Sequence, residues 1–179
     1  TILKRYGSVQ IRNVATIAGN IATASPIGDS LPLLLSLDAS ISIESFNKKS
    51  TLSLKDFFIS YRKTKLKKGQ FISSIRIPIY KKNIFKAYKI SKRIDDDISS
   101  VCASFNLAIV NKKIKNIKIA YGGMAPTPKR AIHCEKILLN SDFSEKIILK
   151  AQICLEKDFQ PIDDMRASKN YRMEIAKNL

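Results

Sequence analysis

Residues 10–32 read Gln10-Ile11-Arg12-Asn13-Val14-Ala15-Thr16-Ile17-Ala18-Gly19-Asn20-Ile21-Ala22-Thr23-Ala24-Ser25-Pro26-Ile27-Gly28-Asp29-Ser30-Leu31-Pro32. The stretch mixes small residues, amides and hydroxyls with one acid, a pattern unlike a buried apolar helix or a solvated loop. Small residues let a ligand approach the backbone, and N–H groups near Gly19 and Asn20 could bond an anionic group. Asn20, Thr23 and Ser25 add side-chain donors. The pattern suits a cradle for a phosphorylated cofactor. It also suits a capped turn between two core helices.

Outward from this stretch, the periodicity alternates between short helices and strands. Residues 12–22 read as a turn and short helix. Asp29 or Ser30 is positioned to cap a second helix, with Pro32 tolerated in its first turn. Ala39, Ile41 and Ile43 alternate with polar residues as a half-buried strand, 47–49 make a turn, and 51–54 return as its partner. Residues 55–60 read as a short helix or turn, and 71–78 as a further strand ended by Pro78. Residues 80–83 mark a boundary, after which the pattern restarts. Ile84, Tyr88 and Ile90 share one strand face. Val101, Ala103, Phe105, Leu107 and Ile109 line a second strand, and Ile117, Ile119 and Tyr121 a third, across a turn at 111–113. Three helices are expected to follow. Thr127 with Pro128 would start the first. Asp142 with Glu145 would form a capping box for the second, with Phe143, Ile147, Ala151 and Cys154 as its stripe. Tyr171, Ile175 and Leu179 would line the third. Strands followed by helices, in runs, predict an α+β fold with two parts, 1–80 and 83–179.

The 179 residues are 45% hydrophobic and 26% charged, which is ordinary for a folded domain with a real core. No apolar run has membrane-spanning length, and no membrane partner is expected. Cys102, Cys134 and Cys154 form no C-x-x-C pair, so neither zinc nor an iron–sulfur cluster is predicted on this chain. Cys102 and Cys154 are expected to be small core residues, and free thiols agree with a cytoplasmic location. His133, the single histidine, reads as a solvated helix position. The formal net charge of +17 raises a nucleic-acid partner, but the basic residues sit at turns and strand ends with no aromatic-interleaved motif, so none is expected.

The 10–32 pattern closely resembles the flavin-binding domain of the xanthine dehydrogenase and molybdenum hydroxylase family. The resemblance continues in order through Phe57-Phe58-Ile59-Ser60-Tyr61-Arg62-Lys63-Thr64, residues 89–98, Tyr121-Gly122-Gly123-Met124-Ala125 and residues 163–172. It is closest to the bacterial form, whose small subunit carries the iron–sulfur clusters and FAD. It implies the second part of a vanillyl-alcohol-oxidase-like FAD-binding subdomain over 1–80. Over 83–179 it implies a small antiparallel sheet with helices, like the CO dehydrogenase flavoprotein C-terminal domain.

The resemblance also implies a role. A purine such as xanthine or hypoxanthine would be hydroxylated at molybdopterin on a molybdenum-binding large subunit. Electrons would pass through 2Fe–2S clusters, carried upstream of this chain, to FAD and then to NAD. Thr16, Ile17, Ala18, Gly19 and Asn20, with Thr23, would supply backbone and side-chain FAD contacts. Tyr6 would be the aromatic beside the cofactor, Asp29 an acidic contact (alternatively a helix cap), and Ile72 an apolar contact (alternatively strand core). Lys89 would be a cation near the flavin ring, favouring its anionic reduced form, or alternatively a snorkelling surface lysine. Asp95-Asp96-Asp97 would either tune nicotinamide access or form a solvated turn. No catalytic residue is expected, because the cofactor carries the redox chemistry.

Ala18 departs from the glycine that many relatives have. The family's upstream glycine-rich loop and iron–sulfur module do not occur in these residues, and with Thr1 rather than Met at the front an upstream portion is expected to be missing. The isolated chain is therefore expected to bind FAD weakly or not at all. Two alternatives stand beside this reading: a truncated, non-catalytic module that docks on a molybdenum-binding subunit, and a basic nucleic-acid binder.

Overall fold

The computed structural model describes residues 2–179. A 3₁₀ turn (Ile2–Arg5) leads into three short helices, α1 (Val9–Val14), α2 (Ile17–Thr23) and α3 (Ser30–Ser36). Strands β1 (Ser40–Ser45) and β2 (Lys48–Ser53), a second 3₁₀ turn (Leu54–Asp56), the small hairpin β3 (Phe58–Ser60) and β4 (Lys63–Thr64), and β5 (Phe71–Arg76) follow. The second half comprises β6 (Ile84–Ile90), β7 (Val101–Val110), β8 (Lys113–Gly122), β9 (Lys129–Arg130), α4 (Ile132–Leu138), α5 (Glu145–Asp158) and α6 (Lys169–Asn178). This is the α+β class that the periodicity predicts, with a three-stranded sheet, a two-stranded hairpin and a four-stranded sheet, all antiparallel, packed with helices. None of the described helices is long and apolar enough to cross a membrane.

The first sheet has the order β2-β1-β5. Ile41 faces Leu52 and Ile75, and Ile43 faces Ser50 and Ile72, so the β1 isoleucines point to one side. There they join Ile21, Leu31, Leu34, Leu35, Leu54 and Phe57 in a buried cluster. The second sheet has the order β6-β7-β8-β9. Val101, Ala103, Ile117, Ile119 and Tyr121 turn one face of it toward Ala151, Leu155 and Phe159. Full burial of each Val, Leu, Ile or Phe side chain among them stabilises by about 1.5–3 kcal/mol.

Helix α3 ties the halves together. Ser36 Oγ lies 2.7 Å from Ser104 Oγ, and the Asn106 side chain donates to the Ser36 carbonyl at 3.0 Å. The Gly123 N–H donates to the Pro26 carbonyl at 2.8 Å. Gly122 permits this close approach, because a Cβ there would lie 3.0 Å from the Pro26 oxygen.

Four sequence expectations need correction. Thr127 and Pro128 do not open a helix, because β9 intervenes and α4 begins at Ile132 behind Ala131. The N-cap of α5 is Ser144, without a side-chain bond, and Asp142 instead bridges to Lys113, so no Asp142–Glu145 box forms. The buried side of α5 runs through Ala151 and Leu155, with Cys154 only half-buried and Phe143 exposed. Of the expected α6 stripe, Ile175 and Leu179 pack against the second sheet's cluster beside buried Arg172 and Ala176, while Tyr171 is exposed. His133 lies on α4 with its ring largely exposed, Nδ1 being 2.9 Å from Asp158 Oδ1.

Candidate functional site

Helix α2 starts where the sequence changes from extended to helical backbone at Thr16. The Thr16 hydroxyl accepts from the Gly19 N–H at 2.9 Å, and the Thr16 carbonyl accepts from the Asn20 N–H at 3.0 Å. A Cβ at Gly19 would lie 2.9 Å from the Thr16 hydroxyl, so glycine is what lets this cap close. The two N–H groups read from sequence as anion donors are therefore bonded within the helix. Among the described residues, the first-turn N–H groups of Ile17 and Ala18 have no backbone acceptor, as a helix start leaves them.

Beside this helix runs a two-part cleft. One compartment, of about 240 Å³, is walled by Leu3, Tyr6, Ala15, Thr16, Ile17 and Asn20. The other, of about 420 Å³, is bordered by Tyr6, Asn20, Ser25, Asp29, Lys89 and Asp96. Tyr6 and Asn20 belong to both and stand where the two meet. The larger compartment falls within the roughly 300–1,000 Å³ range of small-molecule sites. Burial and the negative charge of Asp29 raise the Tyr6 pKa, against a bond to Asn20 that lowers it. The phenol therefore stays protonated through the neutral range.

The floor of the larger compartment is a buried ion pair. Lys89 Nζ lies 2.6 Å from Asp29 Oδ2 and also donates to the Arg5 carbonyl at 2.9 Å. Ser99 Oγ donates to the other carboxylate oxygen, Asp29 Oδ1. The Cys102 thiol faces the Asp29 carbonyl at 3.6 Å, and burial, with the Asp29 charge second, pushes its pKa far above the usual thiol range. Asp29 stands at the N-cap position of α3 but makes no side-chain cap bond, since both its oxygens are taken. Lys89 is buried, not a snorkelling surface lysine. The two charges expected to meet a cofactor separately meet each other first.

The structure thus gathers Tyr6, Thr16, Ile17, Asn20, Asp29 and Lys89 around one cleft. Ala18 and Gly19 sit in the adjoining first turn of α2. Thr23 turns away and donates to the Gly19 carbonyl of its own helix at 2.9 Å. Ile72 packs on β5 against the first hydrophobic cluster rather than lining the cleft. Asp96 and Asp97 both border the cleft, and Asp97 also holds its own loop, accepting from the Arg93 N–H at 2.8 Å and the Ile98 N–H at 2.9 Å.

Four residues complete the site, of which the sequence assigns a role to Ser30 alone, as a helix cap in alternative to Asp29. Arg5 sews the 3₁₀ turn to the far wall through the carbonyls of Ile94 (2.8 Å) and Lys89 (3.0 Å). Arg12 braces the Tyr6 and Gly7 carbonyls at 3.0 and 2.7 Å, fixing the backbone that presents Tyr6. Ser30 donates to Asn20 Oδ1 at 2.5 Å and so orients that amide, and Ser99 anchors Asp29. Arg12 and Ser30 lie inside the 10–32 pattern. Arg5 and Ser99 carry no local signal, because their partners are 70 or more residues away. No group of three or more His, Cys, Asp or Glu side chains suited to a metal ion occurs among the described residues.

Residues 1–80 match the FAD-binding domain in molybdopterin dehydrogenase, and residues 86–179 match the CO dehydrogenase flavoprotein C-terminal domain. The xanthine dehydrogenase of Blastobotrys adeninivorans is 39% identical over 165 residues, covering 88% of this chain and 12% of that protein. The glyceraldehyde dehydrogenase medium chain of Sulfolobus acidocaldarius is 32% identical, covering 98% of this chain and 62% of that one. Among solved structures, carbon monoxide dehydrogenase from Hydrogenophaga pseudoflava superposes with a TM-score of 0.93 at 24% identity, over 98% of this chain and 61% of that chain, which shows a shared fold. This chain therefore spans a small fraction of the xanthine dehydrogenases and about three-fifths of the medium chain.

Proposed function

Because the chain belongs to the CO dehydrogenase flavoprotein C-terminal family, preceded by the FAD-binding domain of molybdopterin dehydrogenases, we propose that its cleft forms one wall of an FAD site in a xanthine dehydrogenase-like oxidoreductase. Residues 1–80 would be the second part of the FAD-binding domain and residues 83–179 the adjoining domain. In the whole enzyme, electrons from oxidation of a purine at a molybdenum-binding large subunit would arrive through iron–sulfur clusters and leave to NAD.

The observation that carries this reading is the convergence on one cleft of an apolar wall, a polar corner and a fixed charge pair. Those residues fit FAD. A flat ring system suits Tyr6, Ala15 and Ile17, while polar groups suit Asn20, Ser25 and the open N–H groups of Ile17 and Ala18. When bound, FAD would supply two-electron redox chemistry that no side chain here can supply. The chain's own residues bind and orient. Ser30 holds the Asn20 amide in place, Arg12 holds Tyr6, and the Lys89–Asp29 ion pair fixes the cleft floor.

The test is a flavin-fluorescence titration of the purified chain with FAD. Because one wall alone faces the ligand, saturable but weak binding is expected, with a Kd on the order of 100 μM, or about −5.5 kcal/mol. Tyr6→Ala and Asn20→Ala should each weaken it several-fold. Saturation indifferent to both substitutions would show that this cleft is not the flavin wall.

A further inference from the structure

A second surface, on residues 46–82, carries a concentration of unpaired positive charge. Residues 46–82 contain eleven Lys and Arg against one acid, Asp56. Among the described residues, Lys49 is the only one of the eleven in an ion pair, with Glu44. The densest part begins at the β3–β4 hairpin. From residue 63 to 67 burial alternates: Thr64 and Leu66 are half-buried, whereas Lys63, Lys65 and Lys67 are exposed, and exposed Lys68 follows.

The segment is anchored rather than loose. Leu66 packs on the first hydrophobic cluster, and the Lys65 N–H donates to the Phe57 carbonyl at 3.0 Å. Clustered like charges repel and oppose compaction, so the fold holds in place a row of ammonium groups that disfavours it. Next to the row, the same hairpin exposes Ile59 and Tyr61, at 55% and 63%. An exposed apolar pair rimmed by cations has the composition of a protein-docking surface, with an anchor at its centre and charge around it. A single-strand nucleic-acid surface would instead need several aromatic platforms along a basic groove.

We propose that the hairpin surface formed by Ile59, Tyr61, Lys63, Lys65 and Lys67 docks an acidic protein segment that carries an apolar anchor residue. The carboxylates would lie along the lysines and the anchor against Ile59 and Tyr61. This docking is independent of flavin, and its test involves none.

The probe is a fluorescein-labelled peptide of glutamates flanking two central leucines, measured by anisotropy against the full chain at low salt. Lys63→Ala/Lys65→Ala/Lys67→Ala should raise the Kd about tenfold, equivalent to about 1.4 kcal/mol, with each exposed pair contributing a fraction of that. The matching triple change at exposed Lys113, Lys115 and Lys146 should alter it less than about twofold, and arginines in place of the three hairpin lysines should retain binding. Replacing the leucines with glycine should weaken the peptide several-fold. Equal losses in the two alanine triples, or no peptide binding at low salt, would overturn the proposal. So would tighter binding of an oligothymidylate through the same three lysines. All the substituted lysines are exposed, so circular dichroism should report unchanged folding.

Discussion

Lys89 and Asp29, sixty residues apart in sequence, form a salt bridge of 2.6 Å in which 1% and 7% of their side chains are exposed. The pair joins β6 of the second sheet to the start of α3, and the Arg5 carbonyl and Ser99 hydroxyl complete its hydrogen bonds. A charge so placed is tolerable only with its partner, because the interior offers no water in compensation.

Removal of either partner should therefore be severe. Lys89→Met or Asp29→Leu should each cost about 3–5 kcal/mol, since the remaining charge stays buried and unpaired. The double replacement should cost less than the two single losses added together. Urea unfolding midpoints of the three variants check this. Additive losses would mean that the charges do not act as a unit.

The α2 cap makes a smaller and more local prediction. Thr16→Ala should cost about 1 kcal/mol by freeing the Gly19 N–H. Gly19→Ala should cost a similar amount, because its methyl group would crowd the Thr16 hydroxyl at 2.9 Å. Both act on one hydrogen bond, so the double variant should fall well short of the sum in thermal unfolding. The same double variant should weaken any ligand seated along the cleft, because Thr16 and Ile17 form part of its wall.

How much of this was readable in advance depends on the range of each interaction. The alternation of Val101 to Ile109 and of Ile117 to Tyr121 announces β7 and β8, because a sheet face repeats every two residues. The 10–32 pattern suits a cleft wall, because it interleaves core residues such as Ile21, Ala24 and Leu31 with polar ones such as Thr16 and Asn20 that line the cleft. What stayed hidden was settled by distant partners. Thr127-Pro128 looks like a helix start, yet Lys129 and Arg130 pair with Tyr121 and Ala120, and that pairing overrides the local signal. Lys89 looks like a surface cation until Asp29 is brought beside it. Ile72 and Thr23 carry suitable chemistry but face a core and a helix backbone.

Asp164 yields a pH prediction. Burial raises its pKa, but the N–H groups of Arg166 and Ala167 and the Arg172 guanidinium outweigh that and hold it below the ordinary value. A depressed folded-state pKa contributes stability above the unfolded pKa, about 3.9, and that contribution is lost as pH falls through the folded value. Asp164→Asn should thus be less stable than the parent at pH 6, and the gap should close below about pH 4. Denaturant melts at both pH values read it directly, and a gap independent of pH would assign the loss to packing instead.

Asp158 carries the remaining prediction, because it ends one helix and starts another. It is the last residue of α5 and is buried, and its two oxygens accept from the His133 and Cys134 N–H groups, each at 3.0 Å. These are first-turn donors of α4, which has no side-chain cap of its own at Ala131. A carboxylate there also meets the positive end of the helix. Asp158→Ala should cost about 1–3 kcal/mol, the desolvation penalty of the orphaned N–H groups. Asp158→Asn, which can still accept one bond, should lose less. Hydrogen exchange at the His133 and Cys134 amides should accelerate more in the alanine variant than exchange at β7, because α4 would fray before the sheet opens. Equal acceleration in both places would mean that the contact stabilises the whole domain rather than the helix start.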